Sequence, residues 1–205
     1  HEKLIAVRHA NNKDIWIIVR KFTEDSFAAF LLTENGLSNT PVLSPTIDRD
    51  VLTGEAQGTM KVSFNKKYLV SANKCEPGWH YLNETFDINK FDPVTGKVDF
   101  LYKLRKNPNL IEVALPLAIE FSPDSKFLFL TFFHGSIGNN KMELYQYDMQ
   151  YIEDSASFLQ SQEFIASGPV NGLQLARDGK IYCTGFDYGS YDYISVINKP
   201  WEKGT

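Results

Sequence analysis

Hydrophobic and polar residues alternate along this chain in short runs, nearly all of them closed by a turn signal. The runs cover residues 4–7, 15–20, 27–32, 60–64, 68–72, 86–91, 98–104, 118–121, 127–133, 142–147, 173–175, 181–184 and 193–197. In Lys97-Val98-Asp99-Phe100-Leu101-Tyr102 and Glu143-Leu144-Tyr145-Gln146-Tyr147-Asp148 successive side chains belong to opposite faces of a pleated strand. Helix is readable only over 109–115 and 152–160; Pro116 closes the first, and neither sustains a 3.6-residue period. The pattern predicts an all-β chain.

An internal repeat sharpens this reading. The stretch around Ser63-Phe64-Asn65-Lys66-Lys67-Tyr68 recurs 59 residues later as Ser122-Pro123-Asp124-Ser125-Lys126-Phe127, and 54 residues beyond that as Ala176-Arg177-Asp178-Gly179-Lys180-Ile181. Each copy is a tight turn: the Asn or Asp side chain can bond its own backbone, and a β-branched or aromatic strand follows. His9-Ala10-Asn11-Asn12-Lys13-Asp14 is a diverged fourth copy, and Asp92-Pro93-Val94-Thr95-Gly96 reads as a turn between third and fourth strands. Short strands repeating at this period make a β-propeller of four-stranded antiparallel blades, about four of them, spanning residues 1–55, 56–112, 113–168 and 169–205. The last copy lacks a clear fourth strand, so an open sheet edge is expected there, to be capped, paired or used for self-association.

Composition adds exclusions. Of the 205 residues, 43% are hydrophobic and 22% charged, which describes a folded domain and not a disordered or collagen-like one. The net charge is −4 and no basic cluster exceeds Lys66-Lys67, which argues against nucleic acid and anionic membrane partners. The apolar runs 15–19 and 27–32 are far shorter than the ~18 residues of a membrane-spanning helix, so no membrane insertion is expected. Cys75 and Cys183 fit neither a disulfide framework nor a clustered zinc site and read as free thiols. Asn83-Glu84-Thr85 reads as a chance sequon, and both ends, His1 at the start and Trp201-Glu202-Lys203-Gly204-Thr205 at the finish, read as cut from something longer.

The stretch Phe121-Ser122-Pro123-Asp124-Ser125-Lys126-Phe127-Leu128 resembles the WD-repeat-like blades of bacterial propellers, including the TolB type. Taken with His9-Ala10-Asn11, Asp14-Ile15-Trp16, Met60-Lys61-Val62-Ser63, residues 173–182 and Ile194-Ser195-Val196-Ile197-Asn198, the chain resembles the propeller region of large Bacteroidetes surface or secreted proteins that carry gliding-motility-type sorting domains. It departs at Phe64 and Arg177, where that family's turn carries Pro. The resemblance implies an exported, secreted or cell-surface, seven-bladed-type propeller of which this chain is about half, with no established enzyme chemistry and no cofactor. Asp154-Ser155-Ala156 also resembles the O-glycosylation signal of that group.

Loops joining second to third strands emerge on one face of a propeller and carry its function. Three are aromatic or otherwise notable: 75–84 with Trp79, His80 and Tyr81, 134–141 with His134, and 186–192 with Asp187, Tyr188 and Tyr191. Flat faces with polar edges suit a glycan, a peptide or a protein ligand, so these seven residues are the expected binding set. The alternative is a lactonase-like hydrolase using His80, His134, Asp187 and Asp192, and a third reading is a passive spacer. His134-Gly135-Ser136-Ile137-Gly138 echoes a serine nucleophile elbow but lacks the first Gly and the strand-to-helix setting, so a hairpin loop is expected. Asp187 and Asp192 supply too few oxygens for calcium by themselves. Trp16 is expected in the core, and His9 bonded to its own turn.

Overall fold

The computed structural model describes residues 3–21, 26–46, 58–73, 85–105, 114–136, 139–168, 170–185 and 194–205. Among these residues sixteen strands form four antiparallel sheets. The first sheet holds β1 (Leu4–Arg8), β2 (Ile15–Lys21), β3 (Ser26–Thr33), β4 (Gly36–Leu37) and β5 (Val42–Pro45), the last two both pairing with β3. The second holds β6 (Met60–Val62), β7 (Tyr68–Asn73), β8 (Thr85–Phe91) and β9 (Val98–Leu104), in that order. The third holds β10 (Ala114–Phe121), β11 (Phe127–Ser136), β12 (Asn139–Asp148) and β13 (Glu163–Ser167), and the fourth β14 (Gly172–Leu175), β15 (Ile181–Thr184) and β16 (Ser195–Ile197). These are four blades of a β-propeller, each a meander starting at its innermost strand. Among the described residues helix is confined to a 3₁₀ turn, Met149–Tyr151, and α1 (Ser155–Gln160). No helix among the described residues is long and apolar enough to cross a membrane.

The blades meet face to face through three apolar cores. Trp16, Ile18 and Phe27 of blade 1 pack on Met60, Leu69, Phe91 and Val98 of blade 2. Val70, Phe86, Ile88 and Leu104 then pack on Ile119, Phe121, Leu128, Leu130 and Tyr147 of blade 3, and Phe129 and Leu144 on Leu173, Ile181 and Ile197 of blade 4. Strand alternation sends neighbouring residues to opposite cores: Phe127 and Phe129 face blade 4 while Leu128 and Leu130 face blade 2. Trp16 is buried as expected.

All four first-to-second-strand turns share one geometry. Ser63, Ser122 and Ala176 accept at their carbonyl from the N–H three residues on, as His9 does from Asn12. The residue at that third position is left-handed in every copy: Asn12, Lys66, Ser125 and Gly179, with φ of 58°, 61°, 59° and 81°. The preceding Asx carbonyl or carboxylate oxygen of Asn11, Asn65, Asp124 and Asp178 accepts from the backbone two residues later. In blades 2 and 3 the Ser63 and Ser122 hydroxyls donate to that same Asx oxygen and accept from Tyr68 N and Phe127 N. The repeat in the sequence is thus a hydrogen-bonded turn.

Several details differ from the pattern reading. Residues 109–113 lie outside the described set, but Ala114 and Leu115 belong to β10, and Pro116 sits inside that strand at a register shift before Ile119. A bulge tolerates proline because no ladder N–H is required there. Of 152–160, only Ser155–Gln160 is α-helical, begun by Asp154, whose carboxylate accepts from Ala156 N and the Ser157 hydroxyl. β4, β5 and β13 were not anticipated, since their runs are too short or too polar to alternate visibly.

Candidate functional site

Most of the anticipated loop face lies beyond the described residues. Trp79, His80, Tyr81, Asp187, Tyr188, Tyr191 and Asp192 fall outside them, as do Cys75 and the sequon Asn83-Glu84. His134 belongs to β11 and pairs with Lys141 of β12, so the loop expected over 134–141 is corrected: the two strands run to Ser136 and from Asn139. Cross-strand pairing simply continues farther than composition suggested. Cys183 is a free, buried thiol in β15, with burial pushing its pKa up to about 11.

The described strand ends on the same face carry a polar group that the sequence reading missed. Asn73 closes β7 and Thr85 opens β8, so both flank the segment 74–84. Toward blade 1, the side chains of blade 2 change character along the strands: Leu69, Phe91 and Val98 near the tight turn give way to Ser71, Asn73, Thr85 and Asp87 near the loop end, all of them buried. Blade 1 answers with two cations. Lys3, 2% exposed, donates from Nζ to Asn73 Oδ1 at 2.6 Å, and Arg20 Nη1 meets Asp87 Oδ2 at 3.0 Å. The Arg20 guanidinium also lies 5.1 Å from the centre of the Phe27 ring. Thr85 donates to Asp87 Oδ1, and Ser71 to Asn73 Oδ1.

Among the described residues of blades 1 and 2, three buried polar atoms lack a hydrogen-bond partner: Ser26 Oγ, Asn73 Nδ2 and Asn89 Oδ1. A buried donor left unpaired costs about 1–3 kcal/mol, so Asn73 Nδ2 marks a place where a polar group is wanted. The signal was available in the strand pattern: Arg20 follows Trp16 and Ile18 on the inward parity, and Asp87 interrupts Phe86 and Ile88. Charge at inward positions is rare unless paired.

A second polar group crosses three innermost strands. Glu120 of β10 is buried; its Oε2 accepts from Lys61 Nζ of β6 at 2.8 Å and from Leu175 N of β14 at 2.9 Å, while its Oε1 accepts from Phe121 N. Lys61 also reaches Gln174 Oε1 at 3.2 Å. Every acceptor oxygen is occupied, which makes this a staple and not an open site. His9 is likewise structural: Nδ1 accepts from Asn11 N, Nε2 lies 3.0 Å from Val94 O, and the ring packs on Trp16. Trp16 Nε1 donates to Pro93 O, tying blade 1 to the outer turn of blade 2. Among the described residues no group of three or more His, Cys, Asp or Glu is placed to hold a metal ion.

No family model matches the chain, and no curated protein does so. Solved structures do. A periplasmic gluconolactonase from Pseudomonas aeruginosa is similar over 94% of this chain and 52% of its own, at 13% identity and a TM-score of 0.50. A gluconolactonase from Xanthomonas campestris matches 95% of this chain and 58% of its own, at 11% identity and a TM-score of 0.50. A puromycin hydrolase matches 88% of this chain and 27% of its own, at 12% identity and a TM-score of 0.51. The chain thus spans little more than half the length of either gluconolactonase. At these identities the likeness shows the β-propeller fold.

Proposed function

We propose that this chain is a binding module whose loop face, over blades 1 and 2, recognises a polar ligand: a glycan, or a peptide or protein segment. The observation that supports it is the buried polar floor at the ends of β7 and β8, where Lys3 pairs with Asn73 and Arg20 with Asp87, and where Asn73 Nδ2 has no partner among the described residues. A preformed floor with unspent hydrogen-bonding capacity suits a hydroxyl- or amide-rich ligand, whose groups would replace the missing partner. Trp79, His80, Tyr81, Tyr188, Tyr191, Asp187 and His134 remain the proposed surrounding contacts. Within this reading the module is secreted or displayed at a cell surface, as the resemblance to exported bacterial propellers implies.

A thermal-shift screen against oligosaccharides, short peptides and lactones tests it. A ligand held at a hundredfold over its Kd should raise Tm by about 5–10 °C. The shift should vanish in Trp79→Ala and shrink in Asn73→Ala, both still cooperatively folded. A shift confined to lactones, with turnover lost in His80→Ala, would replace the binding module by a lactone hydrolase. Unchanged affinity in folded Trp79→Ala and Asn73→Ala proteins would put the site elsewhere.

A further inference from the structure

The tight turns lie at the opposite strand ends from segment 74–84, so they belong to the other face of the propeller. Each of the four carries a lysine directly after its left-handed residue: Lys13, Lys67, Lys126 and Lys180. In blades 3 and 4 the Asx of the turn is an aspartate, and Lys126 Nζ pairs with Asp124 Oδ2 at 3.1 Å. In blade 2 that place is held by neutral Asn65, and the exposed Lys67 makes no ion pair among the described residues.

Between the turn ends of blades 2 and 3 lies a cleft of 530 Å³, lined by Asn65, Lys67 and Tyr68 on one side and by Ser125, Lys126 and Phe127 on the other. Small-ligand sites occupy roughly 300–1,000 Å³. Phe127, Met149 and half-buried Tyr68 give it an apolar part. Its polar part is lopsided, because the acceptors are occupied. Asp148 accepts at Oδ1 from Gln150 N and at Oδ2 from Gln150 Nε2. Asn65 Oδ1 accepts from Lys67 N and the Ser63 hydroxyl, and nearby Glu153 accepts from the Tyr68 hydroxyl and Lys90 Nζ.

The donors are open. Asn65 Nδ2 and Lys67 Nζ have no bonded partner among the described residues. Ser125 is only 7% exposed; its Oγ accepts from Asn65 N at 3.0 Å, and its own proton meets no acceptor among the described residues. A buried hydroxyl proton without an acceptor is unfavourable, and Ser125 also holds a φ of 59° where blade 4 places Gly179. A buried hydroxyl, a carboxamide NH₂ and two ammonium groups select a group that only accepts hydrogen bonds and carries negative charge.

We infer that this cleft binds a small oxyanionic ligand, its phosphate or carboxylate group held by Lys67, Lys126, Asn65 and Ser125 and its body lying along Tyr68 and Phe127. The site is separate from the loop face and independent of what that face binds.

Calorimetric titration at low ionic strength with glucose 6-phosphate, glucuronate and uncharged glucose tests it. At least one charged probe should bind at millimolar concentration or below and glucose should not, and the tighter of the two identifies the oxyanion. Lys67→Gln should weaken binding about tenfold. Ser125→Gly, which suits the left-handed backbone, should weaken it while leaving Tm at or above that of the parent. Lys180→Gln removes the same charge from the equivalent turn of blade 4 and should leave the affinity unchanged. In amide NMR spectra Asn65, Ser125 and Gln150 should shift with the probe and Asp178 should not. Absence of binding by both charged probes overturns the inference. Equal losses in Lys67→Gln and Lys180→Gln, the mark of a general charge effect, overturn it too, as does unchanged affinity in folded Lys67→Gln and Ser125→Gly proteins.

Discussion

Arg20 and Asp87 show how much rests on individual side chains. Their ion pair is nearly water-free, so removing one partner leaves an uncompensated buried charge. Asp87→Ala is expected to destabilise by about 3–5 kcal/mol, read by urea denaturation, whereas Arg20→Met with Asp87→Leu should lie much closer to the parent. The turn carboxylates act in the opposite setting, near solvent. The Thr95 hydroxyl and the Val94 N–H hold Asp92 below its ordinary pKa. Burial pushes Asp124 up, but the Ser122 hydroxyl and Lys126 outweigh it, and the Lys180 N–H and Tyr182 hydroxyl lower Asp178. A carboxylate with a depressed folded pKa contributes stability that is fully present above about pH 3.9 and is lost as pH falls through the folded value. Tm should therefore drop on acidification below that point, and Asp124→Asn should flatten the drop.

At the scale of elements, the tight turn is the unit that the sequence spelled out. Its Asx residue, its left-handed third position and the strand that follows are local, so three copies align without gaps and the fourth, at His9, is a diverged version of them. Lys66 tolerates φ of 61° at a cost that glycine would avoid, so Lys66→Gly should be neutral to mildly stabilising, while Gly179→Ala should cost about 1 kcal/mol. The third-to-fourth-strand turn at Asp92 is bound by packing as well. A Cβ on Gly96 would lie 2.8 Å from the Trp16 ring, and φ there is +76°. Gly96→Ala should destabilise by about 2–4 kcal/mol and weaken the blade 1 to blade 2 contact, visible as a shift in Trp16 fluorescence. Strands without such punctuation were hard to read: β5 and β13 are recruited by the edges of β3 and β12, a non-local reason that local alternation does not carry.

For the whole molecule, the periodicity of 59 and 54 residues revealed the blade count because every blade reuses one turn. The polar floor was less legible, since Lys3 and Asn73 are 70 positions apart and become neighbours only when two blades stack. Residues such as Trp79 announced themselves by type, but side-chain type alone does not fix a contact. Fold and candidate site were thus readable to different depths: repetition encodes the first, juxtaposition of distant strands the second.

The Glu120 staple has a consequence for how the blades come apart. Stacked repeats that touch only their immediate neighbours can fray one unit at a time from an end, as a one-dimensional chain does. Lys61 of blade 2 reaches Gln174 of blade 4 across Glu120, so blade 4 cannot detach without breaking a link to the blade beyond its neighbour. Coupling of that range turns sequential fraying into a joint opening: the inner-strand amides of blades 2 to 4 would exchange with solvent deuterium as one cooperative block, and Glu120→Gln would let the last blade exchange ahead of the rest.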